Sequence, residues 1–112
     1  PRERLAVRGG EVMVSRIHMD GGIIDRVEAL GAKLGLTGPC TIQGLRDNSG
    51  KFFFTDLNLR FGSGFVHTIS AGGNVPLMML KELAGRELDS KRPDIRNHSV
   101  MTRFPESIFH HE

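Results

Sequence analysis

Tryptophan and tyrosine are absent from this 112-residue chain, and cysteine occurs once, at Cys40. A single thiol excludes an internal disulfide and a cysteine-built zinc cage, and it suits a reducing cytoplasm in which Cys40 is expected buried and inert. No apolar run reaches the roughly 18 to 20 residues of a bilayer span, and the N-terminus lacks a charged-then-apolar leader. A soluble, cytoplasmic protein without a membrane partner is therefore expected. Charge of one sign is also scarce: the formal net charge is +2, and the basic residues are scattered, which argues against a nucleic-acid partner. What remains is a globular composition, 38% apolar and 25% charged with seven Phe, in one domain with a small core. The chain also enters strand-like sequence directly after Pro1, as an excised piece of a longer protein would.

Leu5 and Val7, then Val12 and Val14, alternate with polar neighbours around Gly9 and Gly10 and predict a sheet-edge β-hairpin. After Asp20, Gly21 and Gly22, the stripe Ile23, Val27, Leu30 and Leu34 has helical spacing, with Gly35 as its stop. Thr37 to Arg46 and Lys51 to Leu59 read as strands joined by the turn Asp47, Asn48, Ser49 and Gly50. A short apolar helix is expected around Phe65 to Ala71. Asn74 caps a further helix with Pro76 in its first turn and Leu77, Leu80 and Leu83 along one side, stopped by Gly85. A charged connector from Arg86 to Arg96 leads to a last strand over Val100 to Phe104. The expected fold is α+β: one antiparallel sheet of both hairpins and the C-terminal strand, covered by two or three helices.

Chemistry concentrates where the second hairpin ends. In an extended segment Asp56, Asn58 and Arg60 share one strand face, and burying such a row is costly without charged or metallic partners. The carboxylate and the carboxamide suit a divalent cation, and the arginine an anion such as phosphate. With Arg46 opposite Lys51, Gln43 lies opposite Phe54 and diagonal to Asp56, near enough to share that cation. Phe53, Leu57 and Leu59 fall on the other side as core candidates. The bland alternative is a solvated strand end with a surface ion pair. Ser63 and His67, one helical turn apart, lack a third orienting group for a hydrolase, which makes His67 a helix-surface or substrate-side residue. Met78 and Met79 read as packing, and Lys81, Glu82, Arg86 and Glu87 as a solvated face. His98, His110 and His111 form no ligand pattern.

Three stretches taken in order, "GLTGPCTIQG" from Gly35, "FFFTDLNLRFGSG" from Phe52 and "SAGGNVPLMMLKELAGREL" from Ser70, resemble the C-terminal lobe of an ATP-grasp domain of the carbamoyl phosphate synthetase large-subunit type. The closing "MTRFPESIF" resembles the end of that lobe. The resemblance implies that residues 1–112 are one lobe of a longer ATP-dependent ligase, which activates a carboxylate or bicarbonate as an acyl phosphate for attack by an amine-type nucleophile. By the same resemblance Gln43, Asp56 and Asn58 would hold Mg²⁺ or Mn²⁺ against the phosphates of ATP. Arg60 would contact phosphate or the phosphorylated intermediate as the catalytic residue. The family sandwiches ATP between two lobes, so this chain without an N-terminal lobe is expected to lack catalysis and to bind nucleotide weakly. The apolar face left uncovered would drive self-association. Asp56 stands where the family has Glu, Leu59 where it has Pro, and Cys40 and Thr41 where other small residues and Asn are common. These departures motivate the alternative of a degenerate lobe kept as a non-catalytic binding or interaction module.

Overall fold

The computed structural model describes residues 1–88 and 92–110. Its elements are β1 (Arg2–Arg8), β2 (Glu11–Ile17), α1 (Gly21–Leu34), β3 (Thr41–Arg46), β4 (Phe52–Asn58), α2 (Phe65–Ser70), α3 (Val75–Leu83) and β5 (Val100–Thr102). The class is α+β, as expected, but the hairpins do not share a sheet. One antiparallel sheet has the order β1-β2-β5, and β3 pairs only with β4. The first hairpin thus supplies an edge strand, β1, and a central one, β2. Asp89, Ser90 and Lys91 of the expected connector lie outside the described residues.

Local chemistry accounts for the element ends. Gly9 and Gly10 both take positive φ, 57° and 82°, as a two-residue hairpin turn requires. Asp20 caps α1 by accepting from the Ile23 N–H at 3.1 Å, and Gly35, at φ 60°, ends the helix in the left-handed conformation. Between β3 and β4, Asp47 Oδ1 accepts from the backbone of Ser49 and Lys51, each at 2.9 Å, and from the Ser49 hydroxyl at 2.6 Å. One carboxylate therefore organises the whole turn. Asn74 repeats the capping logic on α3 by accepting from the Leu77 N–H at 3.1 Å.

The first sheet carries two register irregularities, at Leu5 in β1 and Met13 in β2. Because a one-residue slip moves side chains to the other face, the second irregularity brings Val12 onto the side of Ser15 and Ile17. All three are buried there. Ala71, Gly73 and His67, from α2 and the turn after it, are enclosed as well, and these few residues form the core.

Elsewhere the chain is open. Its accessible surface is 8739 Å², against about 6,100 Å² for a compact monomer of this length. The radius of gyration, 16.1 Å, exceeds the roughly 13 Å of a compact domain. The core expected around Phe53, Leu57 and Leu59 is absent: these residues are 45%, 37% and 70% exposed. Among the described residues no further strand or sheet joins this two-stranded hairpin, which leaves apolar groups open on both of its faces. Met78 and Met79 are half-buried, in keeping with a packing role, whereas Leu77, Leu80 and Leu83 are exposed. No helix among the described residues is long and apolar enough to cross a membrane.

Candidate functional site

The β3–β4 register differs from the simple reading by two one-residue shifts in the same direction, which together keep Gln43 on the face of Asp56. Arg46 pairs with Phe52 rather than Lys51, because Asp47 and Lys51 close the turn through a 2.9 Å backbone bond. A bulge at Thr55 then shifts the pairing once more, so that Gln43 lies directly opposite Asp56 and Thr41 opposite Asn58. Without the bulge Gln43 would face Thr55, and Asp56 would turn to the other side. The bulge also separates Phe53 from Leu57: by register Phe53 shares the side of Gln43 and Asp56, and Leu57 does not.

Three oxygen-bearing side chains therefore share one face. Asn58 Nδ2 donates to Asp56 Oδ2 at 2.5 Å. The Gln43 oxygen accepts from Arg4 Nη1 at 3.1 Å, so a cation seated there would compete with a guanidinium. Arg60 is not part of this strand face. β4 ends at Asn58, the chain bends, and the Arg60 carbonyl accepts from the Thr41 hydroxyl at 2.8 Å while its guanidinium donates to the Phe61 carbonyl at 3.1 Å. Asp56 and Arg60 are both exposed and form no ion pair among the described residues, so they do not make the surface pair of the bland reading. Among the described residues no three His, Cys, Asp or Glu side chains gather in a metal-binding group. The oxygens of Gln43, Asp56 and Asn58 nevertheless match the hard donors that Mg²⁺ takes.

Beside this hairpin runs a cleft of about 510 Å³, walled by β1, by Ile23, Ile24 and Val27 of α1, and by residues 40–44 of β3 and its approach. Gln43 lines it, but Asp56, Asn58 and Arg60 do not. Cys40 lines it too and is exposed, contrary to the buried thiol expected. The α1 wall is tied to the second hairpin by the Arg46–Asp20 ion pair at 2.5 Å and by Arg26 Nη1 donating to the Phe52 carbonyl at 3.2 Å. Arg46 and the Ile23 N–H hold the Asp20 carboxyl below its usual range.

His67 is not the surface residue expected. Its ring is buried, with Nδ1 at 2.9 Å from the Ser15 hydroxyl and Nε2 at 3.0 Å from the Ser99 hydroxyl. Burial, followed by the nearby Arg2 charge, pushes its pKa below the ordinary histidine value. The imidazole is thus held neutral, one nitrogen donating and the other accepting. Ser63 is exposed, and both His67 ring nitrogens are taken by Ser15 and Ser99, so no Ser63–His67 pair forms. His98 is exposed and adopts φ 64°, while His111 lies outside the described residues.

Two arginines went unnoticed in the sequence. Arg2 pairs with Ile17 and Arg4 with Ser15, which puts both on the inner face of the first sheet, and both line the cleft. Their spacing of two in a strand was the available signal, as was the spacing of two between Ser15 and Ile17. No protein-family model matches the chain, and no curated protein matches it either.

Proposed function

We propose that this chain is the metal- and phosphate-binding lobe of an ATP-dependent ligase of the ATP-grasp type, one that activates a carboxylate or bicarbonate as an acyl phosphate for an amine-type nucleophile. The observation that carries the reading is the direct pairing of Gln43 with Asp56 through the Thr55 bulge, with Asn58 on the same face. The ordered motifs from Gly35, Phe52 and Ser70 support it from the sequence.

In this reading Gln43, Asp56 and Asn58 would hold Mg²⁺ or Mn²⁺ through oxygen, and the ion would supply charge neutralisation to the phosphates of ATP. To offer oxygen to such an ion, the Asn58 amide, now donating to Asp56, would have to turn, and Arg4 would have to release Gln43. Arg60, on a bend with an exposed guanidinium, is free to reach an anionic group beyond the strand end. In this reading an opposite lobe completes the nucleotide site.

Paramagnetic Mn²⁺, titrated into isotope-labelled protein, tests this directly. Amide signals of Gln43, Asp56 and Asn58 should broaden first, and Asp56→Ala should abolish the effect. Uniform broadening, or selective broadening that survives in Asp56→Ala, contradicts the metal assignment.

A second reading, a degenerate lobe acting as a non-catalytic interaction module, is favoured by one observation: Phe53 and Leu45, 45% and 60% exposed, lie by register on the face of the oxygen row. Apolar groups beside the row suit a docking surface better than a hydrated ion. Failure of the Mn²⁺ experiment together with concentration-dependent self-association would select this reading.

A further inference from the structure

Positive charge in the cleft is unbalanced. Arg2 and Arg4 stand on the inner face of the first sheet, where apolar residues belong, and both line the cavity. Arg2 Nη1 is buried without a hydrogen-bond partner among the described residues, and its guanidinium lies so close to Gly64 that a Cβ there would collide with it. Arg4 and Arg103 are near enough to repel it. No carboxylate among the described residues pairs with Arg2 or Arg4. The neighbouring acids are engaged elsewhere: Glu28, on the α1 wall, holds Arg92 at 2.6 Å, and Glu11 stands 3.9 Å from Arg103.

Nη1 of Arg2 is closed off against Gly64, so an anion entering the cleft would meet Arg4 and the part of Arg2 that lines the cavity, and would offset their unmatched charge. The rest of the cleft says what such an anion carries. Ile23, Ile24, Val27, Ile42, Phe52 and Val12 supply hydrocarbon walls, and the volume of about 510 Å³ lies within the range of small-molecule sites. The Thr41 hydroxyl is committed to Arg60, the Gln43 oxygen to Arg4 and the Glu28 carboxylate to Arg92, while Cys40, Ser63 and Thr68 are uncharged, so the unpaired charge facing the cavity is cationic.

We propose that the cleft between the first sheet, α1 and β3 is a binding site for a small organic anion, its carboxylate or phosphate held by Arg2 and Arg4 and its apolar body lying against α1 and Phe52. The site adjoins the oxygen row and shares Gln43 with it, whereas Asp56 and Asn58 do not line the cleft, and it does not depend on the ligase reading. Arg4 is the adjustable half: it is exposed, and it can swing from Gln43 to the ligand. Arg2, wedged against Gly64, is the fixed half.

Benzoate and phenyl phosphate, titrated separately and without metal into the intact chain by calorimetry, test the proposal and tell a carboxylate site from a phosphate site. At least one should bind saturably. Arg4→Gln should weaken it about tenfold or more, the scale expected for a lost charged hydrogen bond, while Asp56→Ala and Arg60→Gln stay within about twofold of wild type. Arg4→Gln leaves the sheet's packing alone, so its loss of binding is not a loss of fold. Arg2→Lys, which keeps the charge but not the fork, should also bind more weakly. The proposal is overturned if neither probe saturates, if Arg4→Gln binds as wild type does, or if Arg60→Gln weakens binding as much as Arg4→Gln. Metal titration reads the Asp56 row alone, so each reading can fail without the other.

Discussion

Ser15→Ala removes one oxygen from the most enclosed side chain in the molecule, and its effect follows from the groups around it. Ser15 is 0% exposed, and its hydroxyl is 2.9 Å from Nδ1 of His67, itself 3% exposed. The substitution makes almost no cavity but leaves a ring nitrogen buried without a partner. An orphaned buried polar group costs about 1–3 kcal/mol. At about 2.1 cal/mol/K of unfolding entropy per residue, a chain of 112 residues has roughly 0.24 kcal/mol/K, so a loss of about 2 kcal/mol lowers the melting midpoint by about 8 °C. Ser99 partners Nε2 from a half-buried position, and water can replace its hydroxyl. Ser99→Ala should therefore cost less than about 1 kcal/mol. Far-UV circular dichroism during urea unfolding is the assay, since a chain without Trp or Tyr offers no useful intrinsic fluorescence. A Ser15→Ala protein within about 0.5 kcal/mol of wild type, or a Ser99→Ala protein that is the less stable of the two, would refute the buried relay.

The same histidine sets a pH dependence. Its folded pKa lies below the ordinary value of 6.5, so as pH falls the unfolded chain takes up the proton first. Stability should be full above that value and should decline from about pH 7.5 to about pH 5.5, read as a falling urea midpoint. Asp20 and Asp47, whose carboxyls hydrogen bonds hold below their usual range, stay charged across this window and do not counter the trend. A midpoint that is flat or rises toward pH 5.5 contradicts it. Gly72→Ala should destabilise by about 2 kcal/mol or more, because φ is +111° there and a Cβ would stand 2.5 Å from the Asp94 carbonyl oxygen. Thermal melting at wild-type level would show that this turn is not held as described.

Much of the local structure was legible from residue chemistry. Asp20 and Asn74 precede helices whose first free N–H groups need an acceptor, and both side chains supply it. Gly35 and Gly85 follow helices and take positive φ, 60° and 67°. The Asp56–Asn58 face was read correctly as far as Asn58, where the strand stops. Arg60 was misplaced because strict alternation holds only while the chain stays extended. The partnership of Gln43 with Asp56 was approached through a register one residue out, and an unforeseen bulge at Thr55 compensated for it. Nothing in Thr55 itself marks a bulge.

By itself the sequence determined where hairpins turn, where helices begin and end, and which strand carries acceptor groups, since those outcomes depend on contacts a few residues apart. The tertiary structure alone decided which strands share a sheet and which side chains are enclosed, because both depend on partners distant in the chain. His67 illustrates the difference: it sits in a short apolar helix with nothing local to distinguish it, and it is buried only because Ser15 of β2 and Ser99 before β5 meet its two nitrogens. Arg2 and Arg4 illustrate it again: they are ordinary strand residues in sequence, and pairing with Ile17 and Ser15 places both along a cleft whose lining acid, Glu28, is paired with Arg92.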